Sequence, residues 1–197
     1  MSRADPAAEP RERVLAGAYE CVARFGMKKT TVDDVAKASG VSRATIYRLF
    51  PGGRDQVLRE TVGWEMNRFF ARLADAVDGA PDFETLIEQA LIFAHRAVND
   101  HEVLQKVLVS EPDVLLPLMT VEQHRVLRYI TAYLRPLLER EAAAGRLRPG
   151  LDVEAAADYV ARMALSIMAS PGSVDLTDPA QVHGLVRGQL LAGILVP

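Results

Sequence analysis

Residues Thr30 to Phe50 read TTVDDVAKASGVSRATIYRLF, and this stretch decides the fold. Thr31 followed three residues later by Asp34 is an N-cap with an acidic partner, so a short helix is expected to open near Val32. Ser39-Gly40-Val41 is a turn, with Gly40 suited to a positive φ. Ser42 can cap a further helix running to about Phe50, and Pro51-Gly52-Gly53 stops it. Val35, Ala36, Val41 and Ile46 are apolar where two such helices would pack, and the small Ala36 allows close approach. Two short helices joined by a tight turn form a helix-turn-helix, whose second helix can enter a DNA major groove.

The side chains left for the outer face suit that task. Arg43 and Arg48 can pair with guanine edges, Thr45 with base edges or phosphate, and Ala44 with a thymine methyl; Tyr47 lies beside them. Thr30, Thr31, Ser42 and Arg54 stand at helix starts, where backbone N–H groups also favour phosphate.

Working outward, the apolar period is helical nearly throughout the 197 residues. Val14, Ala18, Cys21, Val22 and Phe25 form one face of a first helix, which Gly26 ends. A long helix from Asp55 carries Leu58, Val62, Met66, Phe69, Phe70, Leu73 and Val77 on one stripe. Asp82 and Asp178 read as caps of later helices, and another helix is expected from Asp152 to about Ala169. Pro112 and Pro117 should cut 101–119 into short pieces, with a new helix capped by Thr120 and kinked at Pro136. The expectation is an all-α fold of about nine helices. It divides into a flexible arm over 1–10, a helix-turn-helix DNA-binding domain over 11–54, and a ligand-binding and dimerisation domain over 55–197. An N-terminal arm with Arg3, Arg11 and Arg13 could reach a minor groove, but Asp5, Glu9 and Glu12 nearly cancel its charge, so disorder is the expectation.

Net charge, −3 overall, is misleading as an average. Residues 1–60 hold eleven Lys and Arg against eight acids, whereas 61–197 hold twelve against eighteen. Between 28 and 54 six basic residues face only Asp33 and Asp34. An anionic partner is therefore expected for the first segment alone. The single cysteine excludes an internal disulfide, and Cys21 is expected in the core. The polar N-terminus lacks an apolar signal segment, and Arg162 and Arg187 interrupt the two most apolar runs, so a cytoplasmic protein without membrane spans is expected.

The stretch 30–50, with helix one before it and Arg54-Asp-Gln-Val-Leu58 after it, resembles the DNA-binding signature of the TetR family of bacterial transcriptional regulators. The likeness is close over roughly 12–60 and architectural beyond. It implies that Thr45 and Tyr47 contact DNA, that Thr31 and the basic residue opening helix four touch phosphate, and that the body binds a ligand and dimerises. The loop after Phe50 is a residue longer than usual in that family and places Arg54 where the family has Lys.

Candidate pocket residues in the body are Trp64, Phe69, Phe70, Phe93, Leu104, Leu108, Leu116, Met119, Tyr129, Tyr133 and Met163. The last two helices are rich in small and apolar residues, and Val160, Ala164, Ile167, Val186, Leu190, Leu191 and Ile194 are the candidate dimer contacts. A dimer would present two reading helices to a palindromic operator in double-stranded DNA. No phosphate loop, nucleotide fingerprint, nucleophile elbow or zinc motif is present, so neither enzyme, cofactor nor metal is expected. The favoured reading is a homodimeric repressor whose operator binding a small molecule relieves. The competing readings are an all-α small-molecule-binding protein or enzyme with a vestigial helix-turn-helix, and a ligand-dependent activator.

Overall fold

The computed structural model describes residues 8–170 and 172–196, with backbone only at 121 and 122. Arg3 and most of the expected arm lie outside the described residues. Nine α-helices follow one another in this part of the chain: α1 Pro10–Phe25, α2 Val32–Ser39, α3 Arg43–Leu49, α4 Gly53–Val77, α5 Phe83–Asn99, α6 Glu102–Ser110, α7 Pro112–Ala143, α8 Val153–Ala169 and α9 Pro179–Leu185. A π-helical turn, Val186–Leu190, continues α9. The protein is all-α, as its apolar period requires, and the described residues contain no strand beyond an isolated bridge between Leu147 and Leu195. None of these helices is long and apolar enough to cross a membrane.

The chain forms two compact units, residues 1–70 with 101–122, and residues 71–100 with 123–197. In the first, α1, α2, α3 and the start of α4 close on Val14, Ala18, Val35, Ile46, Phe50 and Val57. A second cluster of the same unit joins Val22, Met27 and Leu58 to Val107 of α6 and Leu115 of α7. Ile46 and Phe50 are wholly buried. In the second unit, α5, α8, α9 and the C-terminal part of α7 share a core that includes Phe83, Leu91, Leu138, Val160, Val182 and Leu191.

The helix starts are set by capping residues. Asp82 accepts from Thr85 N–H, Asp152 from Glu154 and Ala155, and Asp178 from Ala180. The region 101–143 differs from the sequence expectation. Pro112 begins α7 where its missing N–H costs nothing, and α7 then runs unbroken through Pro117 to Ala143. Thr120 caps no helix start: its hydroxyl donates to Leu116 O one turn back. Val114 and Leu118 pack against buried Leu115 and its neighbours, which offsets the bond lost at Pro117.

Candidate nucleic-acid interface

The α2–α3 pair is built by local chemistry that the sequence spells out. Thr31 Oγ1 accepts from Asp34 N–H (3.2 Å) while Asp34 Oδ2 accepts from Thr31 N–H (3.1 Å), a reciprocal capping box. The Thr31 hydroxyl also donates to Asp34 Oδ2 at 2.5 Å, and this bond first, then the one from Thr31 N–H, holds the Asp34 carboxyl below its ordinary range. Gly40 takes φ 64°, the left-handed turn that a side chain resists. Ser42 Oγ then accepts from Thr45 N–H at 3.2 Å to start α3. Gly17 of α1 lies so close to Ser39 that a Cβ there would stand 2.9 Å from the Ser39 nitrogen, so α1 and α2 pack at near-backbone distance.

Arginines of α1 brace this pair. Arg13 donates to Ser39 O (Nη2, 2.9 Å) and to Gly40 O (3.0 Å), satisfying carbonyls at the end of α2. Arg11 donates to Leu49 O (3.0 Å), pairs with Glu60 and lies over the Phe50 ring, 4.5 Å from its centroid. Charge cancellation in the sequence made these two look like parts of a loose arm. Their acceptors are main-chain carbonyls, which no composition count reveals.

With Ile46 and Phe50 turned inward, Ser42, Arg43, Ala44, Tyr47 and Arg48 face solvent and Thr45 is half-buried. The six outward positions therefore lie together on and beside one short helix. Arg43 Nε pairs with Asp33 Oδ1 of α2 at 2.9 Å, and both side chains are exposed. Arg48 makes no ion pair among the described residues. Lys28, Lys29 and Lys37 are exposed in the same unit. A basic, exposed helix flanked by further cations can neutralise phosphates while its side chains reach base edges.

Two expected contacts are occupied by internal bonds instead. Thr30 is 1% exposed and its hydroxyl donates to Gly26 O at 2.7 Å, so it serves the α1–α2 loop. Arg54 donates to Thr30 O (2.7 Å), Met27 O (2.6 Å) and Lys28 O (3.2 Å), and Nη1 pairs with Asp55. Its fork ties the start of α4 to the loop before α2. The crevice beside it, lined by Thr31, Val32, Val57 and Leu58 among others, is too narrow to admit water.

The sequence reading missed Glu111, which sits at the α6–α7 junction. Glu111 Oε2 accepts from Met27 N–H (2.6 Å) and Lys28 N–H (3.0 Å), and Lys28 Nζ reaches Asp113 (2.9 Å). Lys106 Nζ donates to Ala23 O at the end of α1. The only sequence signal was a lone acid before Pro112, and its partners lie 83 and 84 residues away.

The candidate pocket residues divide between the units. Trp64, Phe69, Phe70, Leu104, Leu108, Leu116 and Met119 belong to the first, and Phe93, Tyr129, Tyr133 and Met163 to the second. Arg68 lies over the Trp64 ring (4.5 Å), and Tyr19 stands 6.3 Å from it. Leu104 and Leu108 pack on the Val107–Leu115 cluster, while Leu116 and Met119 are exposed. Of the candidate dimer contacts, Val160, Val186, Leu190, Leu191 and Ile194 are at most 4% exposed and form the core of their own unit. A side chain already removed from water has no area left to bury against a second copy. Ala164 and Ile167 are half-buried, and the outer faces of α8 and α9 instead show Tyr159, Ser166, Ala180 and Gly184, followed by Gly188 of the π turn.

Burial lifts the Cys21 thiol to about 11, reinforced by Asp34 and Glu20, which keeps it protonated in the core.

Comparison with known proteins agrees with this geometry. Residues 14–61 match the profile of the bacterial regulatory proteins, tetR family. An uncharacterized HTH-type transcriptional regulator of Mycobacterium tuberculosis is 34% identical over 80 residues, 41% of each chain. The match thus spans less than half the length of that relative. The fold is similar to that of the TetR family repressor AlkX of Dietzia sp. (TM-score 0.62, 24% identity, 98% of this chain and 97% of that one). It is also similar to the protein in a SmeT–triclosan complex (TM-score 0.59, 21% identity, 95% and 92%). Residues 14–61 thus match the DNA-binding segment of the tetR family, and the fold around them is similar to that of these solved proteins.

Proposed function

We propose that the protein regulates transcription as a homodimer, a repressor that holds a palindromic operator and that a small-molecule ligand releases. The observation that carries this reading is the two-faced α3: Ile46 is wholly buried on one side, and Arg43, Ala44, Tyr47 and Arg48 are exposed on the other. Thr31, Ser42 and Thr45 complete the surface that meets DNA; Thr30 acts by shaping the loop and Arg54 by bracing it. The division of labour follows the sequence boundaries, with 11–54 reading DNA and 55–197 binding ligand and partner. The reading is of a cytoplasmic regulator, not an enzyme.

Dimerisation is supported by Gly184 and Gly188, exposed and four residues apart, each with open space where a Cβ would be. Glycine inside a helix costs about 1 kcal/mol relative to alanine. A partner helix packed closely on that stripe would offset the cost.

Ligand control follows from continuity within the first unit. Arg54, which grips the loop before α2, lies on the same unbroken helix as Trp64, Phe69 and Phe70. A ligand that prefers one setting of α4 shifts the head by its differential affinity for the two settings, and by no more than that. The triclosan complex of a similarly folded protein supports an apolar ligand class.

The test is selection of DNA from a genomic library by the full-length chain. Recovery of a common inverted repeat upholds the reading; fragments with no shared sequence overturn it.

A further inference from the structure

α5 carries Glu84 and Glu88 four residues apart, so both carboxylates leave the same face of the helix. His183 of α9 reaches that face. Its Nδ1 lies 2.7 Å from Glu88 Oε1 and 3.6 Å from Glu84 Oε1. One candidate ligand atom from each of the three residues lies within 4.8 Å of the other two. All three belong to the second unit. The carboxylates are largely shielded, 20% and 19% exposed at the side chain, whereas the imidazole is 53% exposed and leaves a path from solvent. The other charge on the cluster is Arg187, whose Nη1 stands 3.6 Å from Glu84 Oε1.

We propose that Glu84, Glu88 and His183 form a binding site for a divalent transition-metal ion of the zinc class, joining α5 to α9. Zinc bonds of about 2.0–2.2 Å in tetrahedral geometry set ligand atoms roughly 3.3–3.5 Å apart. The two His183–carboxylate separations, 2.7 and 3.6 Å, bracket that value. The His183–Glu88 contact must open by less than 1 Å to admit the ion, within reach of side-chain adjustment because one ligand atom of each residue already lies within 4.8 Å of the others. The ion takes the place of the proton shared between His183 and Glu88. That proton moves to Nε2 when the imidazole is neutral, and is released to solvent when it is charged. An imidazole beside two carboxylates suits Zn²⁺, Co²⁺ or Mn²⁺ better than Ca²⁺ or Mg²⁺, which prefer oxygen alone. Three protein ligands leave a fourth position for water. Arg187 competes for Glu84 and limits the affinity, so Arg187→Gln should tighten binding. The site is independent of the DNA-binding reading.

The experiment is a titration of the tag-free full chain with Co²⁺, followed by visible absorption and then displacement by Zn²⁺. The site predicts saturation at one ion per chain, with binding at least about tenfold weaker in His183→Gln and in Glu88→Gln. On the wild type, long-range ¹⁵N correlation of the imidazoles must show Zn²⁺ acting at Nδ1 of His183, a readout that does not depend on the variants folding. An absent saturable band, a His183 resonance unmoved by Zn²⁺, or wild-type binding by both folded variants overturns the proposal and leaves a hydrogen-bonded clasp.

Discussion

Glu111 Oε2 accepts the main-chain N–H of Met27 at 2.6 Å, so the α6–α7 junction holds the loop on which α2 begins. The same carboxylate takes Lys28 N–H, and Gly26 leaves room for it: a Cβ there would meet Glu111 Oε1 at 2.5 Å. From the opposite side Arg54 takes the carbonyls of Met27 and Lys28. Two residues distant in sequence thus satisfy both edges of one short loop, and the setting of α2 and α3 depends on both.

Removing the acceptor should expose that dependence. Glu111→Ala leaves Met27 and Lys28 N–H without a partner, and urea unfolding should show a loss of about 1.5–3 kcal/mol. Glu111→Gln, which keeps an acceptor oxygen, should lose less. Equal stability of Glu111→Ala and wild type would show that the loop holds itself.

Arg54 separates a structural role from a phosphate contact. Arg54→Lys keeps the charge but cannot reach three carbonyls at once. Its thermal midpoint should fall nearly as far as that of Arg54→Ala. A side chain used only on phosphate would leave both midpoints unchanged, with only DNA affinity reduced.

Asp33 restrains Arg43 on the exposed side of the α2–α3 pair, the side proposed to meet DNA. Asp33→Asn frees that guanidinium and removes a charge that repels phosphate, so DNA affinity at low salt should rise several-fold. The gain should shrink as salt screens it. A weaker complex, measured by fluorescence anisotropy, would show that the pair orients Arg43 productively.

The proposed dimer face has its own test at Gly184. Among the described residues no other element comes within 4 Å of where its Cβ would stand, so Gly184→Leu should preserve helicity while sedimentation shows a shift toward monomer. An intact dimer would put the partner elsewhere.

Cys21 predicts a pH dependence. Its thiol rises from 9.0 to about 11 in the folded chain, so the stability from keeping it neutral is fully present below pH 9 and lost as pH climbs toward 11. At pH 8 the thiolate fraction, and with it the alkylation rate, should be about a hundredfold below that of the unfolded chain. Cys21→Ala should flatten the alkaline fall in melting temperature.

The parts of the molecule legible in sequence are those fixed by near neighbours. Thr31 with Asp34, Gly40, and the caps Ser42, Asp82 and Asp178 each act within a few residues, and the structure has them in those roles. Pro117 misled because a proline counts locally as a break, while packing of its neighbours carries α7 through it. The small and apolar residues of the last helices were read as a contact face, but periodicity cannot distinguish a face turned to the chain's own core from one turned to a partner. Arg13, Glu111 and the Glu84–Glu88–His183 cluster were invisible for a related reason: their partners are brought near only by the tertiary fold.

If α3 reads DNA, the salt dependence of operator affinity must differ between wild type and Arg48→Ala. Wild-type affinity should fall steeply and linearly on a log–log plot, and Arg48→Ala should lose about 1–3 kcal/mol if its contact is to a base, or about one unit of slope if it is to phosphate. Arg48→Ala binding as tightly as wild type with an unchanged slope would contradict that role for α3.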